Sequence, residues 1–201
     1  MTRRSPAWGA ADPPMSDGEA RSRLLEAAEA CFRERGPLRT KITHVAAKAG
    51  VHRTTVYKYF SGMDEILMAC FIKATDAVVE AAEPYFRQDA PFVERLIRAA
   101  LAGLQVARTS PTMRSMTTPD VLAHTHQLAE RSETWRAEVV DRLAERFTTA
   151  APGEVRTDVS PHVLAQWVVR LCFSLIEEPA GPEFGGDEGL LRTFLPRTIA
   201  P

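Results

Sequence analysis

Apolar residues recur along this chain at three- and four-residue intervals, and strand-like alternation is nearly absent, so helices are expected throughout. Ser16 or Asp17, either a suitable N-cap, opens a helix predicted to run to Arg35, with Leu24, Leu25, Ala28, Cys31 and Phe32 facing inward. Gly36-Pro37 stops it. A short helix follows over 42–49, closed by Gly50 at a position calling for left-handed backbone, and a second short helix over 53–60. After the Ser61-Gly62 break a long helix is predicted over 63–82. It has Ile66, Leu67, Cys70, Phe71, Ala74 and Val78 on one face and Pro84 at its end.

The remainder repeats the pattern. Phe92, Leu96, Ala100 and Leu104 stack at i+4 in a helix over 92–107, and a weaker segment covers 110–128. Trp135, Val139, Leu143 and Phe147 do the same over 133–149, and Pro152-Gly153 makes a turn. A helix over 160–178 has Ser160 as N-cap and Pro161 in its first turn. PAGPEFGGDEG reads as a loop before a last short helix holding Leu190, Leu191, Phe194 and Leu195. The expected fold is all-α with about nine helices: a disordered Pro- and Ala-rich arm over 1–16, a three-helix domain over 17–62 and a helical domain over 63–201.

Composition adds one decisive point. The chain of 201 residues has an ordinary hydrophobic fraction of 45% and a net charge of −1, but residues 21–60 sum to +6 and residues 61–201 to −6. A basic head on an acidic body is the electrostatic footprint expected for contact with DNA phosphates, although a solvated charged surface would look the same. Cys31, Cys70 and Cys172 stand far apart without a CxxC pair, which argues for a reducing compartment and against a disulfide framework or metal site. His124 and His126 are two apart, wrong for one helix face, so no metal is expected there. Without a secretory start or an apolar run of membrane-spanning length, a cytoplasmic protein with no membrane partner is expected.

The candidate chemistry lies in TKITHVAAKAGVHRTTVYKYF, Thr40 to Phe60. Two short helices crossing over a tight turn need small residues at the crossing (Ala46, Ala47), a glycine in the turn (Gly50) and apolar plugs (Val45, Val51, Val56, Phe60). The rest of the second helix then points outward: Arg53, Thr54, Thr55, Tyr57, Lys58 and Tyr59 offer donors, methyl groups and aromatic faces to base edges and phosphates. Residues 21–67, with V-A-x-x-A-G-V, T-V-Y-x-Y-F and D-E-I-L in order, resemble the tetracycline-repressor (TetR) family.

That resemblance implies a homodimeric transcriptional regulator, most simply a repressor, that binds palindromic double-stranded operator DNA and responds to a small apolar effector. It places DNA contacts at Thr40, Lys41, Thr43, His44, His52, Arg53, Thr54, Thr55, Tyr57, Lys58 and Tyr59. Three positions depart from the family pattern. Lys41 stands where a Thr or Ser usually caps the second helix, His52 where a Ser is common, and Met63 where a phosphate-binding Lys is usual. The resemblance also implies dimerisation through the helices over 160–178 and 190–195. The former is apolar on two sides, as a helix with one face in a core and one in a dimer should be, or as a fully buried central helix would be.

Met113, Met116, His124, Trp135, Trp167 and Phe173 are candidate effector-lining residues because flexible Met and aromatic walls suit apolar ligands, though a place in the core is the commoner use of each. No cofactor is implied. An enzyme is disfavoured, since GxxxxGK[ST], GxGxxG, GxSxG and HExxH are all missing from the sequence. A helical adaptor, or a small-molecule binder with a degenerate DNA-binding head, is the remaining alternative.

Overall fold

A computed structural model of the chain describes residues 16–201, so the arm expected over 1–16 lies outside the described residues except for Ser16. The described residues form ten helices and no strand: α1 (Asp17–Arg35), α2 (Ile42–Ala49), α3 (Arg53–Tyr59), α4 (Met63–Phe86), α5 (Phe92–Thr109), α6 (Pro111–Met116), α7 (Pro119–Arg131), α8 (133–148), α9 (Pro161–Glu177) and α10 (Gly186–Ile199). The chain divides into two compact units, one ending at Phe71 and the other beginning at Ile72. Among the described residues no helix is long and apolar enough to cross a membrane.

In the first unit Ser16, not Asp17, caps α1. Its hydroxyl accepts the Glu19 N–H at 3.2 Å, and the Glu19 carboxylate accepts the Ser16 N–H at 2.7 Å, so two N-terminal donors are satisfied reciprocally. Leu24, Ala28, Cys31 and Phe32 are buried as expected, but Leu25 is only half-buried and Ala20 and Ala27 complete the inward stripe. Gly50 closes α2 with φ at 69°, and the Val51 N–H reaches back to the Ala46 carbonyl at 2.9 Å. Val45, Val56, Phe60 and Ile66 are sealed from solvent in the same core.

The second unit corrects several expected boundaries. Residues from Ser110 to Leu128 do not make one weak helix but two, because Thr118-Pro119 interrupts the chain and Pro119 begins α7, just as Pro111 begins α6. That split raises the count from about nine to ten. The helix expected to end near residue 82 continues to Phe86, with Pro84 in its last turn. In α8 the segments Glu133–Trp135 and Arg142–Thr148 flank a π turn, Arg136–Asp141. Its extra residue moves the inward position from Val139 to Val140, so Trp135, Val140 and Phe147 are buried while Val139 and Leu143 are half-buried. The last helix starts at Gly186, inside the expected loop, because Gly185 and Gly186 supply left-handed backbone at φ 74° and 67°.

Glu154 ties the 149–160 connection to α5. Its carboxylate accepts the N–H of Phe92 at 2.8 Å and of Ala151 at 3.1 Å, and lies 3.3 Å from the Arg95 guanidinium. The Phe92 N–H bond chiefly holds its pKa below the usual carboxylate range. A carboxylate held low stabilises the fold above the unfolded pKa, and that contribution is lost as pH falls through its folded value. Glu154→Gln is expected to lower stability by about 1–2 kcal/mol at neutral pH. The difference from wild type should shrink below about pH 4, which denaturant unfolding at several pH values will measure. In the first unit, Phe60→Ala is expected to cost about 3–5 kcal/mol, read as an earlier circular-dichroism transition, because it empties a site only 1% exposed.

Candidate nucleic-acid interface

A seven-residue helix such as α3 cannot hold itself together in water, so its inner face must be buried for it to exist. Thr55, Val56 and Phe60 supply that face, and α2 packs against α3 and has Ile42, Val45, Ala46 and Ala49 buried. Arg21, reaching from α1, anchors the far end of α3. Its guanidinium donates to the Tyr59 carbonyl at 2.9 Å, lies 4.2 Å over the Phe60 ring and stands 3.7 Å from the Glu65 carboxylate. An Arg at a helix C-terminus satisfies an orphan carbonyl and its charge suits the dipole.

With the inner face fixed, Arg53, Thr54, Tyr57 and Lys58 are exposed together on the outer face, with Tyr57 54% accessible. Thr43 and Lys41 at the start of α2 and His52 at the N-cap of α3 are exposed as well. Among the described residues no carboxylate pairs with Arg53 or Lys41. Two of the expected contact residues are not on this surface. Thr40 is buried, its hydroxyl donating to the Gly36 carbonyl at 2.8 Å, and Thr55 is buried in the packing of α3. Residue 55 shares its face with the half-buried Tyr59, four positions on, and not with the exposed Thr54.

The departures at Lys41 and His52 have local answers. Lys41 is the N-cap of α2 and has no acceptor in its side chain. Instead His44, half-buried at the third helical position, accepts the Lys41 N–H on Nδ1 at 3.1 Å. His52 Nδ1 lies 3.3 Å from the Thr54 hydroxyl. Met63 is the first residue of α4 and half-buried.

The sequence pattern gave no sign of Asp17. Although 41 and 42 residues away in sequence, its Oδ1 receives the Tyr59 hydroxyl at 2.9 Å and lies 3.4 Å from the Lys58 ammonium. Lys58 is also 3.3 Å from the Tyr59 hydroxyl oxygen. The Tyr59 hydrogen bond, with Lys58 beside it, holds the Asp17 carboxyl below the usual carboxylate range, and the Tyr59 hydroxyl and the Asp17 carboxylate push the Lys58 ammonium up. Tyr59 itself is half-buried.

The six candidate effector residues do not share one environment. Met113, Met116 and Trp135 are buried, His124 and Phe173 half-buried, and Trp167 is exposed on α9. Trp135 and Phe173 meet with ring centroids 5.9 Å apart, and His126 stands edge-on to Phe173 at 5.2 Å. A separate surface cleft of about 470 Å³, lined by Phe92, Val93, Ile97, Glu154, Arg192 and Pro196 among others, includes none of the six. On α9 Val163, Trp167, Arg170 and Ser174 are exposed along one side, while Leu164 and Leu175 are buried on the other.

Residues 24–70 match the model of the bacterial regulatory proteins of the tetR family. An uncharacterised HTH-type transcriptional regulator of Mycobacterium tuberculosis is 27% identical over 182 residues, covering 90% of this chain and 84% of the relative. Among solved structures, Salmonella enterica GusR superposes with a TM-score of 0.66 at 22% identity, covering 94% of this chain and 99% of that one. The TetR family repressor AlkX of Dietzia sp., implicated in biodegradation of n-alkanes, gives 0.64 at 16% identity over 92% and 97%. A complex of SmeT with triclosan gives 0.57 at 23% identity over 91% and 92%. Together with the buried and exposed faces of α2 and α3, these likenesses identify residues 24–70 as a helix-turn-helix segment of the tetR family type, in a chain similar over most of its length to an HTH-type transcriptional regulator.

Proposed function

We propose that this protein is a homodimeric repressor that reads a palindromic operator with α3 and leaves it when a small apolar molecule binds the second unit. The observation that carries the reading is the outer face of α3. Arg53, Thr54, Tyr57 and Lys58 are exposed together on a helix whose other side is held by Val56 and Phe60. Arg53 and Thr54, in the first turn of α3, contact base edges, and Tyr57 packs against thymine methyls or sugar. Thr43, His44 and His52 approach from the turns beside the groove, and Lys41, Lys58 and Tyr59 hold backbone phosphates. The buried Thr40 and Thr55 act only through the packing of α2 and α3.

Each α3 reads one half-site, and two-fold symmetry sets the recognition helices roughly 34–36 Å apart for successive major grooves. The dimer forms through α9 and α10, where Val163, Trp167 and Phe194 expose apolar surface that a lone chain leaves wet. Trp167 belongs to that surface rather than to an effector site. The effector lodges near Met113, Met116, His124, Trp135 and Phe173, and α4, which carries residues of both units, passes its preference to the DNA-reading end. The coupling required is about 1–3 kcal/mol. The bound triclosan of SmeT is a precedent for an apolar ligand on this fold. Such a regulator acts in the cytoplasm, on DNA near its own gene.

In a gel shift with the DNA immediately upstream of its gene, wild-type protein is expected to bind in a manner that falls steeply with salt. Arg53→Ala and Tyr57→Ala should each weaken operator binding by about 1–3 kcal/mol. Binding untouched by both changes overturns the assignment of α3 as the reading helix. By light scattering after size exclusion the wild type should run as two chains, and Trp167→Glu combined with Phe194→Glu as one. A double variant that stays dimeric moves the interface elsewhere.

A further inference from the structure

The pairing of Asp17 with Lys58 and Tyr59 is not explained by stability. The side chains of Asp17 and Lys58 are 81% and 63% exposed, and exposed ion pairs contribute little to folding. What the contact does change is the charge presented by α3. Lys58 shares the outer face with Thr54, one turn earlier, and with Arg53 and Tyr57, so its ammonium lies on the surface assigned above to DNA. A carboxylate 3.4 Å from that ammonium cancels much of its attraction for a second anion.

The Tyr59 hydroxyl sharpens the conflict. A phenol has a single proton to donate, and in this structure it goes to Asp17 Oδ1 at 2.9 Å. Donation to a phosphate oxygen therefore requires that bond to break. An ammonium has three donors and can in principle hold both anions, but a carboxylate and a phosphate brought to the same donor repel each other.

We propose that Asp17 is a phosphate surrogate: its carboxylate occupies Lys58 and Tyr59 in the free protein and must be displaced by a DNA backbone phosphate before those groups can grip the duplex. The inference rests on the DNA-binding reading of α3. Displacement weakens binding to every duplex by the same factor, because phosphates carry no sequence information. Asp17 thus restrains non-specific binding without altering which operator is preferred. It is a positioning residue that acts through Lys58 and Tyr59.

The test uses the full-length chain and two labelled duplexes, the region upstream of its gene and a scrambled sequence of equal composition. Asp17→Asn is expected to tighten binding to both by a similar factor, roughly three- to tenfold at low salt, and to steepen the dependence of log affinity on log salt by about one. The gain should vanish when Asp17→Asn is placed in a Lys58→Ala, Tyr59→Phe background, whereas an effect of Asp17 on α1 alone would persist there. A circular-dichroism melt should match wild type. Tightening on the operator duplex alone, or weaker binding by Asp17→Asn, overturns the surrogate role. Wild-type binding that Asp17→Asn leaves unchanged overturns this inference alone. A wild-type chain that binds neither duplex in a salt-dependent way overturns the DNA reading, and this inference with it.

Discussion

The outward face of α3 depends on how a helix too short to fold alone is held. The seven residues of α3 have no cooperative stability of their own, so Val56 and Phe60 must be sealed against α1 and α2 before the helix exists. Once that side is buried the other is committed by geometry, because residues three and four apart around a 3.6-residue turn share a face. Arg53, Thr54, Tyr57 and Lys58 are outward because Val56 and Phe60 are inward. Arg21 completes the support by covering Phe60 and donating to the Tyr59 carbonyl, so α3 is clamped at its C-terminal end by a cation from α1.

The same economy appears at the two caps where the chain departs from its family pattern. A lysine cannot accept the N–H bonds that a helix start leaves open; at α2 the His44 N–H turns to the Lys41 carbonyl at 2.9 Å, and the His44 ring accepts the Lys41 N–H in return. The Lys41 side chain is left exposed for other work. Asp17 shows the opposite case. A carboxylate in the first turn of α1 suits the helix dipole, yet it also takes up a phenol and an ammonium on a surface that wants anions. Grip and restraint are built from neighbouring residues of one small unit.

The second unit shows a looser relation between pattern and use. Its buried aromatic contacts, Trp135 with Phe173 and Phe92 with Phe147, come from residues that periodicity already marked as inward, apart from Phe173. The π turn in α8 shifts one of those inward positions by a residue and keeps Trp135 and Phe147 buried at its two ends. Apolar residues left exposed on α9 and α10 belong to helices whose other faces are already filled, as two-sided helices require.

Local physics made much of this protein legible from its sequence. Capping residues, glycines and prolines set the starts and stops of α1, α2, α3 and α9 to within a residue, because an N-cap, a left-handed turn or a missing N–H acts within a few positions. The helix-turn-helix was visible for the same reason, since small residues at a crossing and a glycine in a turn are demands of short-range geometry. Other features were settled only in three dimensions. The inward turn of Thr55, the burial of Thr40 under the Gly36 carbonyl, and the unequal burial of the six candidate effector residues all depend on which faces meet. The contact of Asp17 with Lys58 and Tyr59 joins residues some forty positions apart, and no periodicity connects them. Sequence pattern determines which side of each helix is apolar; only packing decides which polar side chains from separate helices come within hydrogen-bonding reach.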